Sequence, residues 1–431
     1  VTDQAPSAGD AGLPARQAAI TLFEAALARR GGFDEALSSG ALKGLEPRDR
    51  AFARALTLAA LRHLGPIDNA LQGKLSRPPP ERVLTILRLG VAQAFWLNVP
   101  DHAAVASSVE LADRGKNTQR LKGLVNAVLR GLLRDGPPME TVDTVLPAWL
   151  SARWRAAYGE EALAGIAAAV TQEPATDLTP RDPAEAQALA ADLEATVLPG
   201  LTLRSALKGD VALWPGFAEG RWWVQDAAAA IPARLLRVKP GETALDLCAA
   251  PGGKTLQLAA AGATVTALDR SAPRLARLRD NLARMNLTAE VVTAEGDAWR
   301  DERQFDAVLL DAPCASTGTF RRHPDVLWAS SPADIAKLAA VQTRLLAATA
   351  GRVKPGGRLV YCVCSLEPEE GESQVRNFLG SNPDFATDPI QPGEGGSPEA
   401  SVTPQGWLRI LPQHMAGGMD GFFAARLVRK A

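Results

Sequence analysis

The chain has four cysteines: Cys248, Cys314, Cys362 and Cys364. Taken singly, each reads as a small apolar core residue, the commonest role of an isolated cysteine. Two stand apart because of their positions. Cys314 follows Asp311-Ala312-Pro313 after the β-rich run Ala307–Leu310, and Cys364 closes the run Arg358–Val363. Adjacent strand ends of a parallel sheet can line one cleft, so a carboxylate and two thiols can face one substrate. Cys362 and Cys364 share a strand face by the two-residue period, unless the chain turns at Cys364. No paired C-x₂-C supports a zinc site, and a disulfide would need an oxidising compartment. The set suits attack on a pyrimidine. C5 of cytosine is a poor nucleophile, but a thiolate adding to C6 makes C5 enamine-like and able to take a methyl group. An acid near N3 stabilises the developing charge, and a base must then remove the C5 proton so that the thiol leaves.

A second chemical feature is Leu245-Asp-Leu-Cys248-Ala249-Ala250-Pro251-Gly252-Gly253-Lys254-Thr255, a strand running into a Gly-rich turn and a helix. Small residues allow close approach of a ligand, and the helix start offers free N–H groups. Three ligands compete. A phosphate loop is suggested by Gly253-Lys254-Thr255, but its first glycine falls at position 248, where Cys248 stands. The G-x-G-x-x-G spacing of a dinucleotide site is absent. An adenosyl-methionine site needs an acid after the next strand to accept from the ribose hydroxyls, and Asp269 stands there. Asp297, after the third strand, is placed to accept from the adenine amine. A single such aspartate reads as a helix cap. Three successive strand ends finishing in Asp269, Asp297 and Asp311 favour the ligand.

The elements that must position these groups follow from hydrophobic period. Before about residue 140, apolar spacings of three and four recur in Ala18–Leu27, Phe52–His63, Val83–Phe95 and Leu121–Leu132, separated by Gly31-Gly32, Gly65-Pro66, Pro78-Pro79-Pro80 and Gly136-Pro137-Pro138. This predicts an all-α domain over 16–140. Residues 145–235 predict a small α/β linker domain, with a helix over Trp149–Val170 and short strands at Leu178–Arg181, Thr196–Leu203 and Arg221–Val224. A helix over Val224–Leu236 leads into the last domain, 236–431. There, β-rich runs at Thr243–Leu247, Thr264–Leu268, Glu290–Thr293, Ala307–Leu310 and Arg358–Val363 alternate with helical stretches such as Pro273–Met285 and Pro332–Ala350. That alternation predicts a parallel doubly wound, Rossmann-like sheet, completed by Trp407–Leu411 and Phe422–Leu427. The stretch Pro389–Gly406 reads as a mobile loop, and Val1–Ala15 as a disordered lead-in whose initiator Met has been lost.

Composition narrows the classes. At 46% apolar and 22% charged residues the chain is ordinary globular protein. Its net charge of −1 excludes a strongly basic coat but not a basic patch. Few cysteines and no apolar run of transmembrane length point to a reducing cytoplasm and no membrane partner. Over the first 150 residues, 18 Lys and Arg face 15 Asp and Glu. Arg114, Lys116, Arg120, Lys122, Arg130 and Arg134 follow one another with no acid between them, a pattern suited to RNA phosphates or to a solvated helix face. Arg321 and Arg322, with His323, stand just after the Asp311–Cys314 motif and are further candidates for RNA phosphates. No metal is expected. Trp222, Trp223 and Trp328 are stacking candidates, with buried core the stronger reading.

Asp246–Thr255, Asp311-Ala-Pro-Cys314-Ala-Ser-Thr-Gly-Thr and Tyr361-Cys-Val-Cys364-Ser-Leu-Glu-Pro-Glu-Glu370 together resemble the Nol/Nop/Sun RNA cytosine-5 methyltransferases. Arg48-Asp-Arg50, Leu87–Gly90, Val99–Ala104 and Lys122–Arg130 resemble the NusB-like helical RNA-binding domain. The resemblance covers most of the chain and is weakest over 145–235. It implies S-adenosyl-L-methionine held by Cys248, Ala249, Ala250, Pro251, Gly252, Gly253, Lys254, Asp269, Asp297 and Asp311. It implies Cys364 as the nucleophile at C6, Cys314 as the group assisting release, and 5-methylcytosine in small-subunit (16S) ribosomal RNA as product. One departure is Val363, where members commonly carry Thr. Transfer RNA as substrate, a non-catalytic assembly factor and an ATP-using enzyme are the alternatives. The oligomeric state and the modified position are not given by these residues.

Overall fold

The computed structural model describes residues 12–29 and 31–431; the lead-in expectation falls largely on residues outside these. The chain forms two compact units, one of residues up to Gln172 together with Arg322–Ser330, the other of Glu173–Arg321 and Ser331–Ala431.

The first unit is helical: Leu13–Ala28, Gly32–Ser38, Pro47–Arg62, Leu64–Gln72, Glu81–Trp96, Asp101–Arg114, Lys122–Asp135, Val142–Val145 and Ala148–Val170. The three-four apolar rows point inward, where Ile20, Leu22, Phe23, Leu56, Leu61 and Leu87 are fully buried. Prolines begin several of these helices because an unbonded first turn does not need their N–H. The short helix Asp325–Ala329 also packs here, its Trp328 Nε1 donating to Leu61 O at 3.0 Å. The helix Ala148–Val170 belongs to this unit as well, and Arg62 donates to Val170 O and Gln172 O, both at 3.0 Å.

The second unit holds two sheets. The small one has antiparallel order β2-β3-β1-β4, from β1 (Thr176–Pro180), β2 (Ala195–Val197), β3 (Leu203–Ser205) and β4 (Trp222–Val224). Trp222 and Trp223 are 0% and 3% exposed, so they are core and not stacking platforms. The large sheet comprises β5 (Thr243–Leu247), β6 (Thr264–Asp269), β7 (Glu290–Thr293), β8 (Phe305–Asp311), β9 (Val353–Val363), β10 (Phe385–Thr387), β11 (Leu408–Ile410) and β12 (Phe422–Arg429). Its order is β10-β12-β9-β8-β5-β6-β7, with β11 on β12. The five strands from β9 to β7 run parallel, whereas β12 is antiparallel to β9, β10 and β11. The sheet is therefore mixed. A short return from β11 to β12 suffices for an antiparallel neighbour, where a parallel one would need a crossover helix.

The stretch Pro389–Gly406 is not the open loop that its Pro, Gly and Glu content suggests. Ile390, Ser397 and Ser401 are buried, and Glu394 pairs with both Arg237 and the fully buried Arg426. Composition could not register those arginines: Arg426 comes from β12 and Arg237 from the segment after the helix Ala227–Leu235, both distant in sequence.

Candidate active site

Strands β6, β5, β8 and β9 are adjacent and parallel, so their carboxyl ends open on one cleft, the usual ligand position in such sheets. The turn after β5 is built for close approach. Cys248 adopts φ +62° and Gly252 φ +110°, and a Cβ at Gly252 would lie 2.8 Å from Leu278 Cγ. Glycine is therefore required there on both counts. The helix Gly253–Ala260 starts at this point. Asp269, ending β6, is 3% exposed and accepts from Ala250 N at 3.2 Å and Ser271 N at 2.8 Å. Those two bonds rigidify the turn and leave carboxylate lone pairs for hydroxyl donors. Asp297 is more open and accepts from Arg344 Nε at 3.2 Å. Burial and the neighbouring Asp269 and Asp311 push the Cys248 thiol up to about 12, consistent with a packing role.

Lys254 bears on the phosphate alternative. Its Nζ lies 2.7 Å from Asp311 Oδ2, with the side chain 10% exposed. Burial disfavours its charge, but Asp311 outweighs that and raises its pKa. The ammonium is thus committed to the carboxylate of the substrate cleft, not presented to a phosphate. Asp246, in the same motif, was missed as a participant. It is fully buried, takes Thr255 Oγ1 at 2.5 Å, and burial lifts its pKa to about 7.

The two cysteine loops meet. Cys314 Sγ and Cys364 Sγ are 3.5 Å apart, and Ser316 Oγ lies 3.7 Å from Cys364 Sγ and 3.9 Å from Cys314 Sγ. Hydrogen bonding from Cys314 lowers the Cys364 pKa despite burial, and the same bond, with burial, raises that of Cys314. Of the two sulfurs, the thiolate form is therefore favoured at Cys364 and disfavoured at Cys314. Cys362 is a different case. It is 0% exposed, burial and Asp311 hold it protonated, and its Sγ donates to Asp311 Oδ1 at 3.5 Å. The chain turns after Val363, so only Cys364 reaches the other sulfur.

Glu370, named only as the end of a motif, joins the loops. Its buried carboxylate accepts from Ala315 N at 2.9 Å, Ser365 Oγ at 2.5 Å and Gln342 Nε2 at 3.0 Å. Gly318 N donates to Cys364 O at 3.1 Å, and a Cβ at Gly318 would fall 2.0 Å from Gly421 O. Ser316 sits at φ +58°, a costly conformation for serine that this network sustains. No sequence signal beyond the motif itself identifies Glu370 or Ser316.

Thiolate reactivity gives one expected outcome. Alkylation of Cys364 by iodoacetamide rises with pH as the thiolate forms, so its lowered pKa places the midpoint below that of an ordinary thiol. In Cys314→Ala the chief lowering interaction is lost and the midpoint moves up. Peptide-resolved labelling against pH checks both; an unchanged midpoint in the variant contradicts the pairing.

The RNA candidates divide. Arg114, Lys116, Arg120, Lys122 and Arg130 are all exposed on the helical unit. Arg114 pairs with Glu110 at 2.8 Å and Lys122 with Asp113 at 3.0 Å, acids just upstream of the basic run. Arg321 must be withdrawn: it is 3% exposed, and its guanidinium donates to Gly417 O at 2.9 Å, beyond reach of a phosphate. Arg322 packs with the helical unit, not with the cysteine-bearing one.

Residues 233–428 match the family model for the 16S rRNA methyltransferase RsmB/F, and residues 13–134 match the NusB family. The ribosomal RNA small subunit methyltransferase B of Vibrio cholerae is 37% identical over 413 residues, covering 90% of this chain and 91% of that protein. The chain belongs to the ribosomal RNA small subunit methyltransferase B family. Its counterpart in Xanthomonas campestris is 37% identical and covers 97% of this chain and 98% of the relative. Among solved structures, PH0851 shares the fold with a TM-score of 0.77 at 24% identity, over 96% of this chain and 98% of its own. A methyltransferase homolog from Pyrococcus horikoshii has a TM-score of 0.56 at 27% identity, over 65% of this chain and 94% of its own. The small subunit methyltransferase B family acts on 16S rRNA with S-adenosyl-L-methionine as methyl donor. The close-approach turn after β5, the helix start beside it and Asp269, which keeps carboxylate lone pairs open, are chemically compatible with a ligand of this kind. Among the described residues, no helix is long and apolar enough to cross a membrane.

Proposed function

We propose that this methyltransferase modifies C5 of a cytosine in small-subunit ribosomal RNA through a covalent cysteine adduct. The observation that carries the reading is the sulfur pair, 3.5 Å apart, beside Asp311 held by Lys254. The Cys364 thiolate adds to C6, forming an S–C bond and moving the ring electrons to C5. Asp311 accepts from the exocyclic N4 amine and orients the ring. The cofactor, held by the residues from Cys248 to Lys254 with Asp269 and Asp297, supplies the methyl group when bound. Loss of the C5 proton to a base then restores the C5–C6 double bond, and the C6–S electron pair returns to Cys364. Cys314 assists that step. The target cytosine must be unstacked or lie in a loop for the thiolate to reach it. Lys116 and Arg120, with their exposed neighbours, supply phosphate contacts from the helical unit.

The test is methyl transfer from labelled S-adenosyl-L-methionine to unmethylated small-subunit rRNA, followed by digestion to nucleosides and mass identification. The expected product is 5-methylcytidine. A different methylated nucleoside overturns the reading, and 5-methylcytidine formed only in transfer RNA overturns the substrate.

A further inference from the structure

A cavity of about 320 Å³ lies within the second unit, between the small sheet and the cofactor-side helices. It shares no residue with the cysteine loops or with the Cys248–Lys254 turn. Its walls include Arg181 after β1, Arg234 and Arg237, and no acidic residue is among its lining. Arg237 is the one with a carboxylate, Glu394 at 2.7 Å, and Glu394 also serves Arg426. Arg181 donates to Met285 O at 3.1 Å, a neutral acceptor. Arg234 donates to Thr202 Oγ1 at 3.0 Å and Gly395 O at 3.3 Å, also neutral. Burial lowers the Arg234 pKa to about 10, which leaves it charged at neutral pH.

A partly desolvated guanidinium held by neutral acceptors alone is an unbalanced charge. The carboxyl ends of the helices Ala227–Leu235 and Gly253–Ala260 both border this space and contribute roughly half a negative charge each, still less than the arginines carry. Apart from the neutral polar side chains of Thr179 and Gln257, the remaining walls are mainly apolar, including Trp223, Val238 and the half-exposed Leu201. The volume is at the lower end of small-molecule sites, enough for one nucleotide and little more. Guanidinium groups recognise phosphate oxygens with well-matched geometry.

We infer that this cavity is a phosphate subsite for a single nucleotide, filled either by a nucleotide of the RNA substrate or by a free one. The first source rests on the RNA reading above; the second does not.

Two substitutions on different elements test it in the full chain. Ala261→Glu places a carboxylate on the exposed rim, and Arg181→Gln removes one cation. Binding of unmethylated small-subunit rRNA is measured across a salt series, binding of cytidine 5′-monophosphate and of inorganic phosphate by calorimetry, and S-adenosyl-L-methionine binding as the check on folding. If the RNA fills the cavity, each variant weakens RNA binding several-fold, and Arg181→Gln lowers the salt slope by about 1, with cofactor affinity unchanged. If a free nucleotide fills it, the wild type binds cytidine 5′-monophosphate or phosphate, both variants lose that binding, and RNA affinity stays put. Variants that bind the cofactor normally and alter neither RNA nor phosphate binding overturn the inference. Methyl transfer by the wild type is read in parallel, so failure of the cavity is distinguishable from failure of the RNA reading.

Discussion

Cys364→Ala is expected to abolish methyl transfer while S-adenosyl-L-methionine binds as before. Cys364 is the one sulfur of the strand end that both points toward Cys314 and has its thiolate favoured, through the bond from Cys314. Without it no S–C6 bond forms, and C5 stays unreactive. Loss of a covalent nucleophile costs on the order of 10⁴-fold or more in rate, equivalent to about 5 kcal/mol or more of barrier. The cofactor turn lies at the end of a different strand, β5, so its affinity changes little. Single-turnover methylation and equilibrium cofactor binding measure the two quantities separately. Normal turnover by the variant would show that another group attacks. Cys362→Ala is the matched control: Cys362 is fully buried and protonated, so this variant keeps its covalent step.

Cys314→Ala is expected to behave in the opposite sense, forming the adduct and failing to release it. In the free enzyme the Cys314 proton is shared toward the Cys364 thiolate, and this is the first cause of its raised pKa. Once Cys364 becomes a thioether it carries no charge, and that hold on the Cys314 proton is lost. Cys314 then becomes more acidic at the stage when the C5 proton must leave. Removing it blocks release without preventing addition. A protein–RNA species that survives denaturing electrophoresis should accumulate in the presence of cofactor, with multiple turnover reduced by about 10²–10⁴-fold, the usual worth of a positioned acid–base group. If Cys314→Ala turns over normally and leaves no adduct, another group releases the product. Because Cys314 also lowers the Cys364 pKa, the adduct should form more slowly at neutral pH and recover as pH rises.

The legible parts of the molecule were those carried by local pattern. Apolar residues three and four apart announced the helices of the first unit, since each buries one stripe. Strand ends finishing in Asp269 and Asp311 announced the cleft, because a parallel sheet brings its carboxyl ends together whatever the spacing between strands in sequence. What escaped depends on contacts between distant segments. The Asp325–Ala329 helix packs with the first unit through a bond between residues 267 positions apart, which no local period encodes. Arg321 and Arg322 looked equivalent as neighbours, yet one is interior and spent on Gly417 O. The choice between Cys362 and Cys364 turned on where the chain leaves β9, a matter of backbone direction and not of residue type. Glu370 and the cavity arginines were invisible for the same reason: burial and missing counter-charges are properties of the assembled fold.

The most direct test of the covalent cytosine-5 account uses small-subunit rRNA transcribed with 5-fluorocytidine. Fluorine at C5 leaves no proton to remove, so after methyl transfer the enzyme cannot release the ring. Proteolysis and mass spectrometry of the trapped complex then identify the attached residue. The account predicts a methylated fluorocytidine bonded to Cys364. Attachment at Cys362 or Cys314, or normal turnover on this RNA with no trapped complex, would contradict it.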